Sequence, residues 1–306
     1  MSGTPAAGSA PREGQTFAGE SGLARWASFV KLPHTVFALP FALVGVVFAS
    51  RTAPLTAATL GWVVLAFTAA RWVAMAVNRI VDREFDARNP RTAMREIPRG
   101  AIAVGQAWAT VAVAAALFFV AAWRLNPLCL ALSPLALGWV CFYSFTKRFT
   151  RYAHLVLGFG LSIAPVGGYL AVTGAWSDPW WTLIALSLAV TTWSGGFDIL
   201  YALPDVEFDR SQGLHSIPAA LGVPRALAVA RALHLVTVAA LSLTVWAFGG
   251  GAYAWAGVVV AAGLLAYEHT LVRSDDLSKL DAAFFTMNGV ISMAFLAGVL
   301  ADRWLT

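Results

Sequence analysis

The sequence predicts an all-α membrane protein, built as a bundle of about nine transmembrane helices. The chain is 59% hydrophobic and only 12% charged, and its mean hydropathy of +0.70 is far above that of soluble domains. Apolar segments long enough to span a bilayer recur along the whole chain. Basic residues cluster after every second segment, a pattern typical of chains that cross a membrane repeatedly.

The predicted spans follow one another closely. They cover residues 26–50, 56–80, 103–123, 126–145, 152–173, 179–203, 223–247, 251–272 and 280–301. Residues 1–24 are instead rich in Gly, Ala, Ser and Pro and lack the apolar stretch of a secretory signal. We therefore expect a disordered cytoplasmic tail over 1–24, followed by a single transmembrane domain over 25–306.

Charged residues between the spans predict the orientation. Arginine and lysine cluster after the second, fourth, sixth and eighth spans, whereas the other connections contain only Arg51, Arg124 and Asp178. By the positive-inside rule the N-terminus and the charged loops are cytoplasmic and the C-terminus is outside. We expect an integral, multi-pass protein of a lipid bilayer, the bacterial inner membrane, with its active site on the cytoplasmic side. The net charge of +5 reflects this orientation, and no basic patch with exposed aromatics indicates a nucleic-acid partner.

Two acidic motifs interrupt the apolar pattern, one after the second span and one after the sixth. They read Asn78-x-x-x-Asp82-x-x-x-Asp86 and Asp198-x-x-Tyr201-x-x-x-Asp205-x-x-x-Asp209. Steps of four and seven residues keep the acids of each motif within about 40° of one helical face. Carboxylates at the edge of a membrane are costly and usually functional, so we expect the two acidic strips to hold divalent cations.

Basic side chains in the neighbouring loops complement these acids. They form two groups: Arg91, Arg95 and Arg99 in one loop, and Lys147, Arg148 and Arg151 in another. Mg²⁺ usually bridges one or two carboxylates to substrate phosphates, and arginine can bind the phosphate oxygens that the metal leaves free. The combination predicts a site for a diphosphate leaving group, and its position in a membrane bundle indicates that the rest of the substrate is apolar.

Four motifs in order carry a resemblance to a known family. Besides the two acidic motifs they are Arg91-Thr92-Ala93 with Arg95-Glu96-Ile97-Pro98-Arg99-Gly100, and Tyr143-Ser144-Phe145-Thr146-Lys147-Arg148. Over about residues 26–300 the chain resembles the UbiA superfamily of intramembrane aromatic prenyltransferases. This implies a nine-helix bundle with a central cavity open to lipid, and Mg²⁺-dependent transfer of a polyprenyl group from polyprenyl diphosphate to a small aromatic acceptor.

The resemblance also implies roles for individual residues. Mg²⁺ would be held by Asp82, Asp86, Asp205 and Asp209, with Asp198 and Tyr201 as further catalytic residues. The substrate-binding residues would be Asn78, Arg91, Arg95, Lys147, Arg148 and His34. Arg148 is our candidate for an acceptor carboxylate, the rings of Tyr201, Phe85 and Phe208 could face the allylic cation, and an unspecified aspartate would accept the phenolic proton.

Two alternatives stay open. The segments Lys31–Pro40, Arg95–Pro98 and His215–Pro218 resemble the branch similar to 4-hydroxybenzoate polyprenyltransferases, whose acceptor is 4-hydroxybenzoate for ubiquinone or a dihydroxynaphthoate for menaquinone. The other function considered is an ion-coupled membrane transporter that uses the same carboxylates. Coupling sites of transporters usually lie near mid-bilayer, whereas these acids lie at the cytoplasmic helix ends.

Overall fold

The computed structural model describes residues 22–274, 276–278, 280 and 286–306, without the side chains of Leu23 and residues 32–37. Nearly all of the predicted tail, residues 1–21 of it, lies outside this part of the chain. The described residues are helical and contain no β-strand. The predicted all-α class is therefore confirmed.

Seven helices agree closely with the predicted spans, whereas the first predicted span, 26–50, is divided between two helices. In chain order the helices are α1 (Gly22–Phe29), α2 (Leu32–Ala49), α3 (Ala57–Val81), α4 (Arg83–Arg88), α5 (Val104–Leu125), α6 (Pro127–Thr146), α7 (Ala153–Thr173), α8 (Trp181–Tyr201), α9 (Val206–Ser211), α10 (Ile217–Leu221), α11 (Val223–Ala247), α12 (Ala252–Leu271) and α13 (Asn288–Trp304). Within the described residues, α3, α5, α6, α7, α8, α11 and α12 are long and apolar enough to cross a membrane. The other two predicted spans correspond to α2, of which the described side chains cover only Ala38–Ala49, and to α13, which has 17 residues. The count of nine therefore stays a prediction.

Helix α7 packs between α2 and α8 through glycines that allow the backbones to touch. A Cβ atom on Gly45 of α2 would lie 1.9 Å from the Pro165 carbonyl oxygen, and one on Gly158 of α7 would lie 2.2 Å from the Thr191 carbonyl oxygen. Small residues at helix contacts are the usual route to close packing in membranes. This approach brings the first half of α7 against the last half of α8.

An aromatic core joins three helices that are distant in sequence. The ring of Phe41 in α2 lies 4.6 Å from that of Trp193 in α8 and 6.0 Å from that of Phe295 in α13, measured between centroids. All three side chains are buried. Helices α3, α5 and α6 contact one another on another side of the bundle, and the space between them and α7 forms the main cavity.

The end of the bundle opposite the acidic motifs is joined by one ion pair. Arg51, just after α2, lies 2.5 Å from the Asp302 carboxylate of α13. Asp302 also accepts hydrogen bonds from the backbone N–H groups of Gly251, at 2.9 Å, and Ala254, at 3.3 Å. One buried carboxylate thus connects three segments of the chain.

We predict that Gly158→Ala lowers the stability of the bundle, because its new Cβ must push α7 and α8 apart. Overpacking of this kind costs about 1–3 kcal/mol of the free energy of unfolding, which would appear as a lower apparent Tm in detergent. Gly263→Ala is the matched control, since nothing lies within 4 Å of its Cβ position. Equal Tm values for the two variants would contradict the proposed tight contact.

Candidate active site

Each acidic motif lies where a membrane-length helix ends and a six-residue helix begins. The chain turns at Asp82, between α3 and α4, and at Asp205, before α9. Both residues have almost the same backbone conformation, with φ −90° and ψ 4° at Asp82 and φ −90° and ψ 2° at Asp205. The expectation of a continuous helical strip is therefore wrong at these two positions, and beyond each turn an aspartate, Asp86 or Asp209, becomes buried.

The two turns also share a sequence pattern that reasoning from the acid spacing alone missed. Residues 82–86 and 205–209 both read Asp-x-Glu-Phe-Asp. Phe85 and Phe208 line the cavity, whereas the side chains of Glu84 and Glu207 are 66% and 88% exposed. Identical residues thus take the same places at both turns.

Every aspartate of the two motifs has a polar partner within 4 Å. The pairs are Asp82 with Arg148 (3.4 Å), Asp86 with Arg95 (2.7 Å), Asp198 with His154 (2.7 Å), Asp205 with Arg91 (2.5 Å) and Asp209 with Lys147 (3.6 Å). Asn78 donates to Asp82 at 2.8 Å, and Asn89 donates to Asp205 at 3.0 Å. Because Asn89 and Arg91 follow the first motif while Asp205 belongs to the second, these contacts bind the two motifs together.

Tyr201 is held by two cations. Its hydroxyl oxygen accepts hydrogen bonds from the Arg91 guanidinium at 3.1 Å and from the Lys31 ammonium at 3.3 Å. The same groups lie 5.0 Å and 5.4 Å from the centroid of its ring. The ring expected to face an allylic cation therefore already lies beside two protein cations, and Lys31 joins the site although its sequence position did not suggest it.

Burial and neighbouring charges shift the pKa values of two carboxylates of the site, those of Asp82 and Asp205. Burial, followed by the charge of Asp86, raises the pKa of Asp82 to about 6, although Arg148, Lys147 and Arg95 oppose the shift. Burial alone would also raise the pKa of Asp205, but the adjacent Arg91 holds it below the usual value. An added cation next to Asp82 would therefore favour its ionised form.

Lys147 is the basic counterpart of these carboxylates. Burial would lower its pKa, but the charge of Asp209, followed by those of Asp205 and Asp198, raises it above the usual value. Lys147 therefore stays charged, in a position to meet phosphate oxygens.

The carboxylate oxygens of the two motifs suit a cation whose remaining ligands come from water and from the substrate. Asp86 Oδ2 is buried without a hydrogen-bond donor, and Asp209 Oδ2 meets only the more distant Lys147 ammonium, at 3.6 Å. Both oxygens are thus suited to contact a cation. Within the described residues, however, no three Asp, Glu, His or Cys side chains lie close enough together to hold a metal by themselves. Mg²⁺ commonly takes only one or two carboxylates and completes its shell with water and phosphate.

The site opens into a cavity of about 920 Å³. Along α3, lining residues recur every three or four positions from Val63 to Asp82, over about 28 Å of helix. The far end is closed by an apolar cluster that includes Val63, Leu125, Cys129 and Ala171. A polar mouth above a long, mostly apolar space can bind a molecule with a charged head and a hydrocarbon tail.

Nearly all residues singled out from the sequence line this cavity. They are Asn78, Asp82, Asp86, Arg91, Arg95, Lys147, Arg148, Asp198, Tyr201, Asp205 and Asp209. Arg148 lies at the mouth, about one-third exposed, where it binds the Val81 carbonyl oxygen at 2.9 Å and covers the Phe85 ring at 5.5 Å. The side chain of His34 lies outside the described part of the chain.

Reasoning from the sequence missed two further residues of the site, although the position of one of them, Arg71, could have indicated it. Arg71 lines the cavity from the middle of α3, and an arginine inside a membrane span usually marks a functional position. His154 is completely buried next to Asp198. No spacing pattern links His154 to Asp198, so only the packing of α7 on α8 reveals the pair.

The sequence of this chain matches the profile of the UbiA prenyltransferase family over residues 38–290. The chain belongs to this family. It is therefore an enzyme, as predicted from the four motifs, and not the transporter considered as an alternative.

Curated relatives and solved structures agree with this membership. The 4-hydroxybenzoate octaprenyltransferase of Idiomarina loihiensis is 32% identical over 228 residues, 74% of this chain and 79% of the relative. That of Salmonella paratyphi C is 33% identical over 252 residues, 79% of this chain and 83% of the relative. A UbiA homolog from Aeropyrum pernix K1 has a TM-score of 0.80 and 35% identity, covering 88% of this chain and 98% of that one.

A more distant structure shares the fold. The UbiA homolog from Archaeoglobus fulgidus, solved bound to DMAPP and Mg²⁺, has a TM-score of 0.68 and 20% identity, covering 92% of this chain and 100% of that one.

We predict that Asp82→Ala and Asp205→Ala each lower the turnover of this UbiA enzyme by about 10²- to 10³-fold, because each removes a charge aimed into the cavity mouth. Turnover is measured in membranes with a prenyl diphosphate. Glu207→Ala is the matched control, since this acid lies in the same motif but is 88% exposed. Near-wild-type turnover of both aspartate variants would mean that the reaction takes place elsewhere.

Proposed function

We propose that this enzyme transfers a polyprenyl group from polyprenyl diphosphate to a small aromatic carboxylate, with Mg²⁺, on the cytoplasmic side of a bacterial inner membrane. The observation that carries the proposal is the cluster of aspartates, arginines and Lys147 at the mouth of a long apolar cavity. A diphosphate head matches the mouth, and an isoprenoid tail matches the walls.

The head group would bind between carboxylates and cations. Asp82, Asp86, Asp205 and Asp209 would hold Mg²⁺, which when bound neutralises charge on the diphosphate. Arg91, Arg95 and Lys147 already lie within 4 Å of these carboxylates and would exchange part of that contact for phosphate oxygens. The Archaeoglobus fulgidus homolog was solved bound to DMAPP and Mg²⁺, which supports a prenyl diphosphate and Mg²⁺ as the ligands.

The chemistry follows from that placement. The allylic C–O bond breaks, and its electron pair leaves with the diphosphate, whose charge Arg91, Arg95 and Lys147 stabilise. A ring carbon of the acceptor forms the new C–C bond and then loses its proton to a base. Phe85, Phe208 and Tyr201 line the cavity, keep water away from the allylic carbon and can offer their ring faces to the developing positive charge.

The acceptor is proposed to be 4-hydroxybenzoate, in ubiquinone biosynthesis. The relatives with 32% and 33% identity are 4-hydroxybenzoate octaprenyltransferases, which supports this choice over the dihydroxynaphthoate of the menaquinone pathway. Both acceptors carry a carboxylate, which a guanidinium binds through two hydrogen bonds. Arg148 at the mouth is our candidate for this contact, and Arg71 inside the cavity is the competing one.

Metal dependence can be tested directly. Because a diphosphate can approach the carboxylates only through bridging cations, EDTA should abolish prenyl transfer and added Mg²⁺ should restore it. The assay follows labelled prenyl diphosphate into product in membranes. Full activity in excess chelator would contradict the proposed role of the aspartates.

The acceptor contact can be tested with Arg148→Lys and Arg71→Lys, since lysine keeps the charge but not the forked geometry. We expect Arg148→Lys to raise the apparent KM for 4-hydroxybenzoate about tenfold or more, with little change in the KM for the prenyl diphosphate. Steady-state kinetics with each substrate varied in turn gives both constants.

The pattern of the two variants identifies the site. If Arg148→Lys affects only the prenyl diphosphate and Arg71→Lys affects the acceptor, the carboxylate binds inside the cavity and our assignment of Arg148 is wrong. Running the same assay with a dihydroxynaphthoate distinguishes the two acceptors.

A further inference from the structure

Asp198 differs from the other four aspartates in its partner. Asp82, Asp86, Asp205 and Asp209 lie next to arginine or lysine, whereas Asp198 Oδ2 lies 2.7 Å from Nδ1 of His154. The other ring nitrogen, Nε2, accepts the backbone N–H of Ile217 at 3.4 Å. Because Nε2 accepts a hydrogen bond from Ile217, this geometry makes Nδ1–H the donor to Asp198.

The location of His154 excludes direct contact with a substrate. Its side chain is completely buried, whereas that of Asp198 is 16% exposed and lines the cavity. Gly158 and Gly195 bring α7 this close to α8, because a Cβ on either would meet atoms of the facing helix within 3 Å. Asp198 therefore lies between His154 and the cavity, and His154 can affect a bound substrate only through Asp198.

The same imidazole also fixes the loop that follows the second motif. Ile217, whose N–H it accepts, begins α10. Two residues earlier, the backbone N–H of His215 donates to the Lys147 carbonyl oxygen at 2.7 Å. His154 thus joins the start of α7, the last turn of α8 and the loop beside Lys147.

Asp198 also lies further inside the helix bundle than Asp205 and Asp209. It is inside α8, before the helix ends at Tyr201, while Asp205 and Asp209 lie beyond that end. A substrate whose diphosphate binds the outer aspartates would direct its allylic carbon, and the acceptor that attacks it, towards Asp198.

We propose that His154 is a positioning residue that fixes the rotamer of Asp198, so that Oδ2 is held by the ring and Oδ1 is left to orient the aromatic acceptor. This inference rests on the proposed prenyl transfer. It assigns His154 no part in diphosphate binding, because the ring contacts none of the cations or outer aspartates that would hold the head group.

The test compares His154→Leu with His154→Asn, alone and combined with Asp198→Asn. Leucine removes the donor, whereas the Asn amide can place an N–H close to the position of Nδ1. We expect His154→Leu to lower kcat/KM for 4-hydroxybenzoate about 10- to 100-fold, in the range found for residues that orient a functional group. The KM for geranyl diphosphate should change less than about threefold, and His154→Asn should recover most of the loss.

The double variant separates positioning from general damage. If His154 acts through Asp198, His154→Leu should have no further effect on kcat/KM once Asp198→Asn is present. Fully additive losses, or an equal rise of both KM values with a lower Tm, would overturn the inference. A wild-type protein that prenylates neither 4-hydroxybenzoate nor a dihydroxynaphthoate would instead overturn the proposed function itself, and the inference with it.

Discussion

The structure depends on the pairing of carboxylates with cations at the ends of membrane-length helices. An isolated charge at such a depth is expensive, and removing one partner of a buried pair leaves the other uncompensated. The loop after the first motif therefore folds back so that Arg95 reaches Asp86 and Arg91 reaches Asp205. This pairing compensates the buried charges, and it also places acidic and basic side chains around the mouth of the cavity.

The two acidic motifs share one sequence pattern and one backbone conformation. In each motif the backbone turns at an aspartate with φ near −90°, shortly after a long helix has ended, and then continues with Glu-Phe-Asp in a six-residue helix. The turn separates exposed glutamates from buried aspartates and directs one phenylalanine of each motif into the cavity. Arg91 and Asn89 of the first loop then bind Asp205 of the second motif, which makes one site from two helix ends.

Helix packing determines the finer geometry of that site. Glycines at the contacts between α2, α7 and α8 allow backbone atoms to touch, so that side chains near the ends that carry the acidic motifs meet at hydrogen-bond distance. His154 reaches Asp198 only because α7 lies this close to α8. Arg71 likewise meets the cavity because the lining face of α3 continues through the membrane.

The sequence by itself determined the all-α membrane class, the bounds of seven of the helices to within a few residues and the set of acids and bases, because hydropathy and short-range spacing are encoded locally. Only the tertiary structure decided which acid meets which base: Arg91 and Asp205 are 114 positions apart, and His154 and Asp198 are 44 apart. It also decided that the backbone turns at Asp82 and at Asp205 instead of continuing as a straight helical strip. Such features arise from the packing of distant helices around buried charge, and no spacing within one segment contains that information.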